Sequence, residues 1–312
     1  MRVAVIGAGG TGGYFGGLLA RAGHDVTFMA RGAHLNAIRA RGLTVNSRLA
    51  GNFVVRAAAT DDLRTIGPVD LVLVCVKAYS LDGVLSLLPS VVGPETMILS
   101  VQNGVDNEDR IAAAAGAGPV LGAVAQVSSF IQGPGVVGQT GGPGRLVFGE
   151  MAGGESARTA RLLTVLRSAG IAAEVRPDIR LALWEKFVFI CGVSGVTAVT
   201  RLPLGLILAD VETAALMRAT LDEVVAVARA DDVPVAPRFA EQAVAQMRTL
   251  EPWFRGSMAQ DLLEGRRLEL DTLNGTVVRL GRAHAVAVPV NWTIYAALRP
   301  FAAGAPEIPR PE

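Results

Sequence analysis

Short apolar runs alternate with segments of helical periodicity through the first part of the chain. Residues 11–22 and 79–88 carry apolar side chains at the spacing of a helix. The apolar runs around them have strand length and cover residues 2–6, 25–29, 71–76 and 97–101. Strand alternating with helix predicts parallel strands joined by crossover helices, and near-continuous apolarity predicts a sheet covered on both faces.

The pattern changes after residue 118, where glycine-rich turns separate short β-like runs. VLGAVAQVSSF, GPGVVG and GRLVFGE predict three successive strands that form an antiparallel edge of the sheet. A helix over 157–169 and a last strand over 172–175 follow. Pro177, in the segment VRPD, then marks the boundary between two domains.

Residues 179–302 contain no convincing strand and several stretches of helical spacing. Pro289 is expected to stop a long helix that begins at Ser257. The predicted helices cover 211–230, 237–250, 257–282 and 292–298. We therefore expect an α/β domain with a doubly wound sheet over 1–176, an all-helical domain over 177–302, and a flexible tail over 303–312.

Composition excludes several classes of protein. Hydrophobic residues make up 51% of the 312 residues and charged residues 18%, which excludes a disordered chain. The net charge of +1 supplies no basic field, so we expect neither a nucleic-acid nor a membrane partner. Two cysteines, Cys75 and Cys191, and three scattered histidines predict neither a disulfide framework nor a metal site. We expect a cytoplasmic protein, because a reducing compartment suits these free cysteines.

Neither a membrane span nor a secretion signal is predicted. The most apolar stretch, residues 187–199, is 13 residues long and shorter than the ~20 residues that a membrane-spanning helix needs. The N-terminal residues lack the cleavage pattern of a signal peptide.

A glycine-rich loop between the first predicted strand and helix has the form G-x-G-x-x-G. Its residues are Gly7, Ala8, Gly9, Gly10, Thr11 and Gly12. The first glycine permits a tight turn, the second lets the backbone approach a pyrophosphate, and the third lets the helix pack against the strand. Unpaired N–H groups at the helix start would bind the phosphates. These residues predict a dinucleotide site and make the first domain Rossmann-type.

The end of the second predicted strand distinguishes between dinucleotides. NAD-binding proteins usually carry an acidic residue there for the ribose hydroxyls, whereas this chain has Met29, Ala30 and Arg31. Arg31 stands where the 2′-phosphate of NADP would lie, so we expect NADP(H). The alternative is a solvated arginine that opens the next helix. The missing acid also disfavours FAD and a flavoprotein monooxygenase.

Only two of the 29 basic residues are lysine, Lys77 and Lys186. An ammonium group can release a proton, whereas a guanidinium group cannot. A lysine in such an arginine-rich chain is therefore a candidate proton donor. The alternative is that the two lysines are present by chance and have no special role.

Nearly the whole chain resembles the ketopantoate reductase (2-dehydropantoate 2-reductase) family. The matching segments are GAGGTGG at the start, Arg31, Val76-Lys77, Gln102-Asn103-Gly104, Leu183-Trp184-Glu185-Lys186, Ser257-Met258-x-Gln260-Asp261, Glu269-Leu270-Asp271-x-x-Asn274-Gly275 and Ala283-His284-x-x-x-Val288-Pro289. The resemblance implies reduction of the ketone of 2-dehydropantoate by NADPH, which gives (R)-pantoate for pantothenate biosynthesis.

The resemblance also implies roles for single residues. Lys186 matches the catalytic lysine, the general acid that protonates the carbonyl oxygen. It implies that Asn103 and Lys77 lie near the nicotinamide, its ribose and the substrate. Ser257 and Glu269 match substrate-contacting positions, and Glu269 is a candidate to keep Lys186 charged.

Each of these residues also has a purely structural interpretation. Asn103 could be a turn residue and Lys77 a solvated cation at a strand end. Ser257 could cap the long helix and Glu269 could be an exposed helix charge. We expect structural roles for the remaining candidates, which are His34, His284 and the buried thiol of Cys191.

One part of the chain departs from the family pattern. Family members commonly place asparagines four and eight residues after the catalytic lysine, where this chain has Ile190 and Ser194. Because the two missing amides would bind the substrate, their loss is expected to weaken the binding of 2-dehydropantoate. Ser194 still offers a hydroxyl to the substrate. A different 2-oxo acid or a more apolar ketone is therefore the first alternative substrate. A non-catalytic NADP-sensing protein is the second alternative function, and a homodimer is compatible with the sequence.

Overall fold

A computed structural model describes residues 1–306 of the chain. The chain divides into two compact units, Met1–Leu183 and Trp184–Glu312. The predicted boundary lay at residues 176 and 177, several residues earlier. The difference has a physical cause, because Ile179, Ala182 and Leu183 pack into a small apolar cluster of unit 1 with two strand residues.

Unit 1 is built on a ten-stranded sheet. Its strands are β1 (Arg2–Ile6), β2 (Asp25–Met29), β3 (Leu43–Ser47), β4 (Phe53–Val55), β5 (Ala58–Thr60), β6 (Val69–Val74), β7 (Val92–Ser100), β8 (Val120–Gly133), β9 (Val136–Glu150) and β10 (Ala172–Val175). They lie in the order β4-β3-β9-β8-β7-β6-β1-β2-β5, and β10 pairs with β9. The strands β3, β4 and β5 are only five, three and three residues long and were not predicted.

The centre of this sheet is parallel and buried on both faces. β1 pairs in parallel with β2 on one side and with β6 on the other. Alternate residues of β1 enter different apolar clusters, Val3 and Val5 in one, Ala4 and Ile6 in the other. The expected α/β fold is therefore confirmed.

Helices cover the two faces. They are α1 (Gly10–Arg21), α2 (Gly32–Arg41), α3 (Asp82–Leu85), α4 (Asn107–Ala115) and α5 (Ala157–Ser168), with 3-10 turns at Leu63–Thr65, Ala78–Ser80 and Leu88–Val91. The continuous helix predicted over 79–88 is wrong, because this stretch breaks into α3 and two 3-10 turns.

The antiparallel pairing predicted after residue 118 is confirmed, but its place at the edge of the sheet and its division into three strands are wrong. β8 and β9 form one long antiparallel hairpin, and GPGVVG and GRLVFGE belong to the single strand β9. β9 is long enough to pair a second time along its other side, with β3 through Val136–Gln139 and with β10 through Arg145–Phe148. The hairpin therefore lies inside the sheet.

The second unit contains helices joined by loops and no strand among its described residues, as expected. Its helices are α6 (Ile179–Thr200), which begins in unit 1, α7 (Leu204–Ala209), α8 (Val211–Ala230), α9 (Phe239–Met247), α10 (Ser257–Leu263), α11 (Asn274–Ala283) and α12 (Pro289–Leu298), with a 3-10 turn at Arg299–Phe301.

The long helix predicted from Ser257 is wrong. It stops at Leu263, because Gly265 adopts a φ of +67° and the N–H of Arg266 returns to the carbonyl of Asp261. Pro289 does not stop a helix but occupies the first turn of α12, where its missing N–H costs nothing.

By length and composition alone, α6 could cross a membrane. Its 22 residues extend beyond the apolar run at residues 187–199. However, 72% of its most apolar window is buried within the protein, as in the core helix of a soluble protein. The burial therefore assigns α6 to the core.

Only part of the predicted flexible tail, residues 303–306, is described. Ala305 donates its N–H to the carbonyl of Gly265 over 3.2 Å, so this part is tied to the turn after α10. The rest of the predicted tail lies outside the described residues.

Candidate functional site

The glycine loop after β1 is a tight turn that only glycine can start. Gly7 has a φ of +100°, and the N–H groups of Gly7 and Ala8 both donate to the carbonyl of Met29. A Cβ on Gly7 would lie 2.8 Å from the backbone nitrogen of Val76. The loop is therefore held closely between the ends of β2 and β6.

Gly12 and Gly9 differ in what surrounds the position of a missing side chain. A Cβ on Gly12 would lie 2.1 Å from the carbonyl oxygen of Gly7, so α1 could not pack this closely on β1 with any side chain there. A Cβ on Gly9 would meet no atom within 4 Å. The space beside Gly9, at the start of α1, suits a pyrophosphate that accepts from the unpaired first N–H groups of the helix.

The predicted residues of unit 1 follow the carboxyl ends of neighbouring parallel strands. Arg31 follows β2, the glycine loop follows β1, Lys77 follows β6 and Asn103 follows β7. The chain leaves β1 toward β2 on one side and β6 lies on the other, which is the switch point where ligands of open sheets bind. Neighbouring strands lie about 4.8 Å apart, so β2 and β7 are separated by about 14 Å, a span that suits an extended dinucleotide.

Arg31 is exposed and immediately precedes α2. Within residues 1–306 its guanidinium makes no hydrogen bond or ion pair. This environment is compatible with a phosphate ligand, and the binding role stays a prediction.

Two buried amides that had no predicted role hold the segment around Asn103. Gln102 donates from Nε2 to the carbonyl of Val76 over 2.8 Å, and Asn107 donates from Nδ2 to the carbonyl of Asn103 over 2.8 Å. Both side chains are buried. Gln102 offered a sequence signal, since it is a polar residue directly after a buried strand, whereas Asn107 begins α4 and offered none. The partners of both became visible only in the fold.

The candidate general acid, Lys186, lies on α6 in unit 2 and is half-buried. Ile190 is half-buried one turn later, and Ser194 is buried one turn beyond it. The helix confirms that Lys186 and Ile190 share a face. A branched hydrocarbon therefore takes the place of an amide beside the lysine.

The structure brings Ser194 next to the start of α10. A Cβ on Gly256 would lie 2.6 Å from the Cα of Ser194 and 2.7 Å from its Oγ. Gly256 is the residue before Ser257, so these two predicted substrate residues are neighbours. The interpretation of Ser257 as a cap is wrong, because Gly256 holds the cap position and no side-chain capping bond is present.

Glu269 is not an exposed helix charge. It is 4% exposed and lies in the turn between α10 and α11. A buried carboxylate requires hydrogen-bonding or ionic partners. A role in keeping Lys186 charged stays a prediction.

His284 and Cys191 have local environments that assign them to structural roles, as expected. His284 lies 3.0 Å from Asp231 through Nε2 and the carboxylate Oδ1. Burial raises the pKa of the Cys191 thiol well above its usual range, as expected for a small buried apolar residue. Within the part of the chain that the structure describes, no three His, Cys, Asp or Glu residues are grouped as a metal would require.

Two family models cover most of the sequence. The model described as "Ketopantoate reductase PanE/ApbA" matches residues 3–153, and "Ketopantoate reductase PanE/ApbA C terminal" matches residues 178–302.

Individual proteins match over nearly their full lengths. A 2-dehydropantoate 2-reductase from Archaeoglobus fulgidus is 32% identical over 97% of this chain and 98% of its own. An uncharacterized oxidoreductase, YkpB of Bacillus subtilis, is 31% identical over 97% and 99%. The crystal structure of a PanE/ApbA family ketopantoate reductase from Ralstonia eutropha superposes with a TM-score of 0.89, at 35% identity over 97% and 98%.

Proposed function

The chain belongs to the ketopantoate reductase PanE/ApbA family, and we propose that it uses NADPH to reduce the ketone of 2-dehydropantoate to (R)-pantoate in pantothenate biosynthesis. The family makes it an oxidoreductase that acts on CH–OH groups with a nicotinamide dinucleotide. The observation that carries the proposal is the full-length match to a 2-dehydropantoate 2-reductase in a chain that keeps Lys186.

The proposed chemistry needs a proton donor. When bound, NADPH supplies the hydride that reduces the carbonyl carbon. Negative charge then develops on the carbonyl oxygen, and the ammonium of Lys186 both stabilises this charge and donates the proton. Asn103, Ser194, Ser257 and Glu269 are proposed to bind and orient the 2-oxo acid.

The preference for NADPH rests on charge. Arg31 is an exposed cation at the end of β2, where an acidic residue would favour NAD. The residues Gly7, Ala8, Gly9, Gly10, Thr11 and Gly12 would hold the pyrophosphate. Lys77 and Asn103 are proposed to hold the ribose and nicotinamide end.

A second candidate substrate is favoured by Ile190. A half-buried hydrocarbon one turn from Lys186 favours a 2-oxo acid with an apolar side chain over one with a hydroxyl group. The scaffold, the cofactor and the role of Lys186 would be the same. We further propose a cytoplasmic enzyme with a small-molecule substrate and no nucleic-acid or membrane partner.

One assay separates the candidates. NADPH oxidation is measured with 2-dehydropantoate and, in parallel, with 2-oxo acids that carry branched or aromatic side chains. The proposal predicts the highest kcat/KM with 2-dehydropantoate, and a higher value with an apolar 2-oxo acid would assign the second candidate. Tight NADPH binding without turnover of any ketone would instead indicate the NADP-sensing protein.

A further inference from the structure

His34, the third residue of α2, connects the glycine loop to the turn of the β8–β9 hairpin. Its Nε2 lies 2.8 Å from the carbonyl oxygen of Ala8. Its Nδ1 lies 3.0 Å from the backbone nitrogen of Gly135. Both ring nitrogens are thus engaged, and one partner belongs to the proposed pyrophosphate loop.

These contacts define the tautomer of the ring. The backbone N–H of Gly135 can only donate, so Nδ1 must present its lone pair. The ring proton of the neutral imidazole is therefore on Nε2, from which it donates to the carbonyl of Ala8. His34 is a neutral donor toward the loop.

The hydrogen bond to Ala8 also orients the next N–H group. The peptide between Ala8 and Gly9 is planar and trans, so its C=O and N–H point in opposite directions. Holding the carbonyl against His34 therefore aims the N–H of Gly9 away from α2. Gly9 is also open on the side where a side chain would lie, since an added Cβ would meet no atom within 4 Å.

The hairpin turn holds the imidazole in place. The carbonyl of Gly135 accepts from the N–H of Thr44 over 2.9 Å, and a Cβ on Gly135 would lie 2.9 Å from the Cβ of Ala37. Gly135 is therefore fixed by β3 and α2, and its N–H holds the ring in one orientation. Because the Gly135 N–H holds the ring at Nδ1, the Nε2–H donor has little freedom to turn away from the carbonyl of Ala8.

We propose that His34 is a positioning residue for the coenzyme, which keeps the Ala8–Gly9 peptide in the orientation that presents the Gly9 N–H to the pyrophosphate. This inference rests on the proposed use of NADPH. It assigns the imidazole a part in nucleotide affinity, and none in proton transfer to the substrate.

Two conservative variants separate the two hydrogen bonds. In His34→Gln the side-chain NH₂ reaches the Nε2 position and keeps the donor to Ala8. In His34→Asn the side-chain oxygen reaches the Nδ1 position and keeps only the acceptor for Gly135. Isothermal titration of the full-length protein with NADPH should give about tenfold weaker binding for His34→Asn and a change of at most about threefold for His34→Gln. In steady state, His34→Asn should raise the KM for NADPH with little change in kcat.

A matched control is His284→Gln, which removes an imidazole bound to Asp231 and should leave NADPH affinity unchanged. Melting temperatures of all variants show whether each protein is folded. The nitrogen-15 spectrum of wild-type His34 is a test that needs no variant, because it distinguishes a proton on Nε2 from one on Nδ1. We expect the Nε2–H tautomer.

The outcomes are distinguishable. Unaltered NADPH affinity in His34→Asn, equal losses in both His34 variants, or an Nδ1–H tautomer would overturn the positioning role while leaving the proposed function intact. A wild-type protein that does not bind NADPH would overturn the proposed function, and the positioning role with it.

Discussion

Gln102 donates a hydrogen bond from Nε2 to the backbone carbonyl of Val76 over 2.8 Å, which ties the segment after β7 to the segment after β6. Its Oε1 accepts from the hydroxyl of Ser100 over 3.2 Å. The next residues along the two segments are Asn103 and Lys77. One buried amide therefore braces two residues that are proposed to bind the coenzyme and the substrate.

Gln102→Met keeps the size of this side chain and removes the hydrogen bond. The carbonyl of Val76 then loses its partner, and we expect kcat/KM to fall about tenfold together with a lower melting temperature. The same substitution at the exposed Gln242 is the control and should change neither. Unchanged kcat/KM in Gln102→Met would show that the brace does not position Asn103 and Lys77.

Two substitutions test Lys186 as the general acid: one removes the side-chain amine, and the other keeps a positive charge that cannot release a proton. Lys186→Ala should lower kcat about 10²-fold or more with NADPH affinity nearly unchanged, because proton donation acts in the chemical step. Lys186→Arg restores a cation that cannot release its proton, and it should remain far below wild type. Wild-type turnover in Lys186→Ala would exclude this residue as the general acid.

Arg31 is expected to distinguish NADPH from NADH. Arg31→Ala should weaken NADPH binding about 10- to 150-fold, the range for a hydrogen bond to a charged group, and leave NADH binding unchanged. Arg39 lies on the same helix and donates to the carbonyl of Ala59, so Arg39→Ala is the control. Equal affinities of the wild-type protein for the two coenzymes would contradict the NADP assignment.

The two roles of glycine in the loop can be separated by adding one methyl group. Gly12→Ala places a Cβ 2.1 Å from the carbonyl oxygen of Gly7 and should destabilise the fold by about 1–3 kcal/mol. Gly9→Ala meets no protein atom within 4 Å, and Gly9 has a φ of −71° that alanine adopts readily. Its stability should be unchanged while NADPH binds more than about tenfold weaker. Denaturant unfolding and calorimetric titration measure the two effects, and normal NADPH binding by Gly9→Ala would place the pyrophosphate elsewhere.

Ile190→Asn restores an amide that is common in the family. An added hydrogen bond increases the affinity for a polar substrate about two- to tenfold. We therefore expect kcat/KM to rise for 2-dehydropantoate and to fall for an apolar 2-oxo acid. Val199→Asn on the same helix is a half-buried control that should leave this ratio unchanged. The measured ratio of the two kcat/KM values reports directly on the substrate class.

Local patterns were sufficient for the elements whose sequence signal is strong. The apolar run of β1, the glycine loop and the helical spacing of α8 each predicted an element that the structure contains. Their signals are short-range, because strand burial, turn conformation and helix periodicity depend on adjacent residues. Position at the end of a predicted strand identified Arg31, Lys77 and Asn103 as candidates, whereas the scarcity of lysine and the family resemblance identified Lys186.

The predictions failed for two reasons. The helix from Ser257 ended for a local reason, because Gly265 turns the chain back. β8 and β9 were misplaced for a non-local reason, because they look like an edge until β3 and β10 pair with β9. Such pairings depend on which segments the fold brings together.

The amino-acid sequence by itself determined the fold class, the family, and the chemical groups available for hydride transfer to a ketone, because these depend on residue type and order along the chain. Only the tertiary structure decided which backbone groups those residues meet. The contacts of Gln102 with Val76 and of His34 with Ala8 join residues 26 positions apart. No local pattern encodes a hydrogen bond whose two partners become neighbours only after the sheet has assembled.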